Sequence, residues 1–319
     1  MASQMKKIAI TTGDPDGIGY EVTAKALEKL GPQKNCSFYV FRSPNVSTSH
    51  LRRLGKRFKR REFSSWPEAF SYQPKKRNEL LEIVGLNPPA RWVETAAQAC
   101  RLGSLDALVT GPLSKQSIIA SGLKDIGHTD ILKRICSADQ AFMAFVGKKF
   151  NVVLATGHVP ISQVADRLTA SQIVQACQAA VELRSYLDKK FRRLPIGLLG
   201  LNPHAGDGGL IGSEEIAVFR EALEKLSDLG IPVVGPLVPD AAFQKENWGK
   251  YCTFVACYHD QGLIPFKAFH GFDSGVHLTL GLSLKRTSVD HGTAKDIFGK
   301  SKANPGSMVS ALRWAVKWA

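Results

Sequence analysis

The sequence predicts an α/β fold with a largely parallel sheet. Two observations carry the prediction: short apolar strands alternate with helical patterns along most of the chain, and the strands end sharply at glycine or proline. A third sets the class: hydrophobic and charged fractions of 44% and 22% over 319 residues suit a soluble chain of one large or two ordinary domains.

The elements follow in order. "KIAITTG" reads as the first strand, and "YEVTAKALEKLG" as a helix stopped by Gly31 and Pro32. "SFYVF" is the next strand. From Ser43 to Pro89 the pattern is weak, because basic and polar residues dominate. "RWVETAAQACRLG" is a helix feeding the strand "DALVTG". After "GHTDILKRI" come the strands "AFMAFVG" and "NVVLATG". "TASQIVQACQAAVELRSYL" is the strongest helix, with Thr169 or Ser171 as its cap. "PIGLLGLN", the helix "SEEIAVFREALEKLSDLG", and the strands "PVVGPLV" and "CTFVACYH" follow. "KRTSVDHGTAKDIFGKSKANPGSM" is dense in polar and small residues. It reads as a long functional loop, since the apolar helix "GSMVSALRWAVKWA" then returns the chain to the core. A change of domain is expected near Gly122 to Asp130.

Composition excludes several classes. No apolar run approaches the roughly 20 residues of a membrane span, and "MASQMKKIAITTGD" lacks a signal peptide's apolar segment, so a cytoplasmic location is expected. The six cysteines (Cys36, Cys100, Cys136, Cys177, Cys252, Cys257) form no C-x-x-C pair, which favours reduced, buried thiols. The net charge of +14 is densest from Arg52 to Arg61, where seven of ten residues are Lys or Arg. A solvated helix face or loop is the first reading of that run, ahead of a nucleic-acid surface.

Chemistry collects at the strand ends, where α/β sheets place their sites. "ITTGDPDGIG" delivers Asp14 and Asp16, "LVTGPLSK" Lys115, and "LATGHVP" His158. "LNPHAGDGG" delivers Asn202, His204 and Asp207, "GPLVPD" Asp240, and "ACYHDQG" His259 and Asp260. Three histidines beyond three strands, with one or two carboxylates, suit Zn, Co, Mn or Ni. "GDPDGIG" lacks the G-x-G-x-x-G spacing of a dinucleotide loop. Glu214 and Glu215 at a helix start argue against an anion there. Lys267, set among apolar residues in "LIPFKAF", is expected to pair with substrate or to have a lowered pKa. Asp240 and Asp260 are candidates for base, metal neighbour or support of the histidines, with support ranked first.

"TTGDPDGIGYEV", "DALVTGPLSK", "GHTDIL", "LNPHAGDGGLIGSEE", "GPLVPDAAF", "YHDQGLIPFK" and "RTSVDHGTAKDIFG" together resemble the 4-hydroxythreonine-4-phosphate dehydrogenase family of pyridoxine biosynthesis, from Thr11 to Gly299. The resemblance implies a two-domain isocitrate/isopropylmalate dehydrogenase-like fold, with largely parallel sheets and a cleft between the domains. It places a cofactor-binding domain at residues 1–125 with 260–319, and a metal, substrate and dimerisation domain at 126–259. It implies a homodimer with the active site at the interface, and no nucleic-acid or membrane partner. His158, His204 and His259 are the implied ligands of a divalent metal (Zn, Mg, Co or Mn), one subunit's set being completed by its partner. His128, Thr129, Lys267 and Arg286 are the implied substrate contacts, and Lys267, Asp240 and Asp260 the catalytic candidates. "HGTAKDIFG" looks like an adenosine-binding loop, which assigns His291, Gly292, Thr293, Ala294 and Asp296 to NAD. Asp296 on the ribose hydroxyls favours NAD over NADP, and the neighbouring Lys295 weakens that preference.

The implied reaction is NAD-dependent oxidation of 4-phosphohydroxy-L-threonine at C3, with decarboxylation to 3-amino-2-oxopropyl phosphate. His277 stands where the family usually has a substrate-binding asparagine. That departure opens the alternative of phosphorylated threonate or erythronate as substrate. A phosphate acyltransferase is the expectation from a different class.

Overall fold

A computed structural model describes residues 5–74, 76–271 and 275–319. The chain divides into two compact units, Met1–Ala141 with Phe272–Ala319, and Phe142–Gly271. The sequence reading sets its domain boundaries at 125/126 and 259/260. Twelve strands lie among the described residues. The first five are β1 (Lys6–Thr11), β2 (Cys36–Arg42), β3 (Lys59–Phe63), β4 (Glu79–Val84) and β5 (Ala107–Thr110). The next five are β6 (Phe142–Val146), β7 (Asn151–Leu154), β8 (Ile196–Leu199), β9 (Val233–Leu237) and β10 (Phe254–Ala256). The last two are β11 (Val276–Leu280) and β12 (Arg286–Ser288).

In the first unit the strand order is β3-β4-β2-β1-β5-β12-β11. Its pairs are parallel except β11 with β12. β1 lies at its heart, with Ile8, Ala9 and Ile10 fully buried. A strand covered on both faces reads as a continuous apolar run, as this one does. The following helix, Gly19–Leu30, stops at Gly31, whose φ of +66° suits glycine. Tyr39, Phe41, Leu81 and Trp92 belong to this unit's core.

The basic run departs from the sequence expectation. Thr48–Gly55 is a helix, but Lys59, Arg60 and Arg61 lie in β3, at the edge of this sheet. Arg60 Nε donates to Glu82 Oε2 at 2.6 Å, and Arg42 Nε to Glu82 Oε1 at 2.7 Å. Arg61 Nε donates to Glu79 Oε1 at 2.9 Å. Carboxylates of β4 thus take up part of the charge, and a charged edge strand resists pairing with other chains.

In the second unit the order is β6-β7-β10-β8-β9, with only β6 and β7 antiparallel. Its core is aromatic: Phe150 meets Phe254 edge-on at 5.9 Å and Phe266 at 6.0 Å between ring centres. The helix Ala170–Tyr186 is capped by Thr169, whose hydroxyl oxygen accepts from Gln172 N–H at 3.2 Å. The expected strand "CTFVACYH" is shorter than its apolar pattern. β10 ends at Ala256, and a helix, His259–His270, begins three residues later. Gly262 lets that helix lie on the sheet, since a Cβ there would stand 2.6 Å from Val152 Cγ1.

Among the described residues no helix is long and apolar enough to cross a membrane. All six cysteines are free thiols, and every one but Cys136 is buried.

Candidate functional site

In the second unit, hydrogen bonds gather three strand ends. Thr156 donates to Cys257 O from N–H at 3.1 Å and from Oγ1 at 2.7 Å, which ties the end of β7 to the end of β10. Gln261 accepts from Cys257 N–H at 2.7 Å and donates to Gly200 O at 2.7 Å, which brings in the end of β8. His158 and His259 emerge from this junction with ring centres 5.4 Å apart. Two imidazoles bound at about 2.0–2.1 Å to one tetrahedral cation have ring centres roughly 5 Å apart, so the pair fits a shared metal ion. His259 Nδ1 lies 2.6 Å from Asp260 Oδ1. A carboxylate there fixes the tautomer with the proton on Nδ1 and leaves Nε2 as the nitrogen able to ligate a metal.

His204 follows β8 in a loop of unusual backbone. His204, Ala205 and Asp207 have φ of +52°, +54° and +42°, a region that costs non-glycine residues energy and persists where the surroundings enforce it. Glu215 pins the two residues that lead into that loop. Its buried carboxylate accepts from Leu201 N–H and Asn202 N–H at 2.8 Å each and from Asn202 Nδ2 at 2.9 Å. Glu215, a helix-dipole acid by its place in the sequence, thus also holds the approach to the histidine loop. Among the described residues, no three His, Cys, Asp or Glu side chains of this one chain form a metal-holding group. The chain thus pairs His158 with His259 and does not by itself add His204.

Asp240 and Asp260 both line a cavity of about 450 Å³, with Tyr258, Gln261, Phe243 and Ile264. Lys267 lies half-buried on the helix that His259 begins.

The first unit holds a separate polar cluster. Arg286, 4% exposed, donates from Nε and Nη2 to Thr110 Oγ1 at 3.1 and 2.7 Å, and from Nη1 to Thr279 Oγ1 at 2.9 Å. Sheet register puts these groups together: Thr110 lies beside Ser288, Ser288 beside His277, and Arg286 beside Thr279. His277 Nδ1 is 2.9 Å from Ser288 Oγ and 3.4 Å from Arg286 Nη1. Because a guanidinium only donates, Nδ1 acts as acceptor and the neutral ring carries its proton on Nε2. Burial lowers the Arg286 pKa to about 9, which leaves it charged at neutral pH. Among the described residues no carboxylate pairs with it. His128 begins the helix His128–Cys136 with its Nε2 buried and without a hydrogen-bond partner. Burial, and then the charge of Arg286, lower its pKa to about 3. The half-buried Thr129 is next in that helix. A buried cation beside neutral donors is an arrangement that answers an anionic ligand.

The loop after β12 carries His291, Gly292, Thr293, Ala294 and Asp296. Thr293 O accepts from Ile18 N–H at 3.0 Å, and Ala294 has φ of +44°. His291 Nε2 and Asp14 Oδ1 are buried and have no hydrogen-bond partner. Orphaned polar atoms of this kind fit a loop that takes a polar ligand.

A family model described as pyridoxal phosphate biosynthetic protein PdxA matches residues 80–315. The 4-hydroxythreonine-4-phosphate dehydrogenase of Sulfurihydrogenibium sp. is 36% identical over 98% of this chain and 98% of its own. A crystal structure titled as a putative 4-hydroxythreonine-4-phosphate dehydrogenase from Salmonella typhimurium aligns with a TM-score of 0.80 at 30% identity, covering 98% of this chain and all (100%) of that one. A β-decarboxylating dehydrogenase from Thermococcus kodakarensis aligns with a TM-score of 0.55 at 15% identity, over 96% of this chain and 81% of that one, a likeness of fold alone. The architecture is the isocitrate/isopropylmalate dehydrogenase-like α/β fold.

Proposed function

Since the chain belongs to the PdxA family of pyridoxal phosphate biosynthetic proteins, we propose that it oxidises 4-phosphohydroxy-L-threonine at C3 with NAD and releases carbon dioxide, leaving 3-amino-2-oxopropyl phosphate. The pairing of His158 with His259, whose other nitrogen meets Asp260, is the observation that carries this reading. A divalent cation at that pair supplies charge stabilisation for negative oxygen during alcohol oxidation and carboxylate loss. NAD supplies the hydride acceptor.

The chain's own residues do the rest. Arg286, with His128 and Thr129, binds an anionic end of the substrate. The neutrality of His128 leaves it free to donate or accept there, and Arg286, which already meets Thr110, Thr279 and His277, turns its charge and its remaining Nη2 N–H to phosphate or carboxylate. Lys267 holds phosphate or delivers a proton, and the two roles separate in KM against kcat. Asp260 orients His259; Asp240, on the same cavity, is a candidate base for the hydroxyl proton. The partner subunit's His204 completes the ligand set, so the working unit is a homodimer. His291, Gly292, Thr293, Ala294 and Asp296 receive the adenosine end of NAD.

His277 favours a second reading. With Nδ1 accepting from Arg286, the ring carries its proton on Nε2, and a ring N–H suits a substrate hydroxyl or carboxylate better than an ammonium. A phosphorylated hydroxy acid such as threonate or erythronate 4-phosphate meets that description. NADH formation is the test, with the amino acid phosphate and its hydroxy-acid analogues compared before chelation, after it, and after metal return. Turnover that depends on metal and on one of these substrates is expected. Undiminished turnover in fully chelated protein removes the metal. Thioester-to-phosphate acyl exchange without NAD marks the acyltransferase class instead.

A further inference from the structure

The stretch Gly13–Gly19, with its two acids, has no role in the reading above, yet it packs against the loop assigned to NAD. Ile18 N–H donates to Thr293 O at 3.0 Å, and a Cβ on Gly17 would stand 3.0 Å from that same oxygen. Lys295 Nζ donates to Asp16 Oδ2 at 2.7 Å and lies 3.9 Å from Asp14 Oδ2. Asp14 is buried and fixed: its N–H donates to Pro112 O at 3.1 Å and its Oδ2 accepts from Ser114 N–H at 3.2 Å. Further along the loop, Lys25 Nζ donates to Ser301 O and Ala303 O at 2.9 and 2.8 Å.

Lys295 directly precedes Asp296, the carboxylate assigned to the ribose hydroxyls. An unengaged lysine at that point offers a 2′-phosphate the charge it seeks and works against Asp296. In the structure the ammonium is matched by Asp16 with Asp14 behind it. Two carboxylates thus stand against one ammonium, with Asp296 next to it in sequence, a balance that repels a 2′-phosphate and accepts free ribose hydroxyls.

We propose that Asp16 is a positioning residue for dinucleotide selection, engaging Lys295 so that the loop takes NAD in preference to NADP; the proposal rests on the dinucleotide reading above. Calorimetric binding of NAD and NADP to the full-length protein without substrate reads the ratio of the two Kd values. Asp16→Asn and Asp16→Ala should each bind NADP on the order of fivefold tighter, the gain of one exposed charge pair, with NAD affinity little changed. Adding Lys295→Leu to Asp16→Ala should return the ratio to the wild-type value. An unchanged ratio in both single variants overturns the proposal. So does a ratio that stays shifted in the double variant, because a loosened loop rather than Lys295 would then be responsible. Wild-type protein that binds neither nucleotide overturns the dinucleotide reading, and this proposal with it.

Discussion

Arg286 and Thr110 stand on adjacent parallel strands, and one threonine hydroxyl oxygen accepts from two guanidinium nitrogens, at 3.1 and 2.7 Å. A hydroxyl satisfies hydrogen bonds but cancels no charge. Holding a buried cation this way costs stability that an anionic ligand restores. Arg286→Met should therefore keep or raise the Tm of ligand-free protein. It should weaken substrate binding about 10- to 100-fold, the worth of hydrogen bonds to a charged group. Arg286→Lys should recover little, since an ammonium lacks the planar fork. Thermal unfolding with and without substrate checks both; lost stability with intact binding would make Arg286 structural.

His128 predicts an acid-side decline in stability. Its folded pKa of about 3 lies below the ordinary 6.5 because burial, then Arg286, disfavours the imidazolium. Between those values the unfolded chain binds a proton that the native chain does not. Stability contributed by His128 is therefore complete above 6.5 and is lost as pH falls towards 3. The slope is at most about 1.4 kcal/mol per pH unit. Urea unfolding at pH 7 and pH 5 should show a smaller loss in His128→Gln than in wild type. Equal losses would show that His128 does not stay neutral.

Asp260 on His259 predicts a graded effect on metal. His259→Ala should abolish tight binding, whereas Asp260→Asn should weaken it about 10- to 100-fold by leaving the imidazole poorly oriented. Titration against a competing chelator measures both. Unaltered affinity in Asp260→Asn would sever the carboxylate from the metal site.

The legible parts of the fold were those where burial wrote a continuous apolar run, as in β1 and β7, because helices covering both faces leave no room for alternation. β3 and β4 were missed because their charges are paired within the sheet. Glu82 is fully buried by Arg42 and Arg60, so a strand carried the composition of a loop. His158, beside Gly157 just past β7, and His259, just past β10, were legible as histidines following apolar runs. Thr110, Thr279 and Ser288 were not, since hydroxyls on strands are ordinary β residues until register gathers them around Arg286. Glu215 was hidden for a similar reason: its role depends on the left-handed loop whose approach it holds.

Three imidazoles around one cation, one of them given by the partner, is the claim most open to a decisive result. His204→Ala and His259→Ala are each expected to lose metal and turnover while staying folded. Mixing the two under conditions of demonstrated subunit exchange should restore metal binding and NADH formation, because one site of each mixed dimer regains His158, His259 and the partner subunit's His204. Full metal content in His204→Ala alone, or no recovery in mixed dimers, would contradict the shared site.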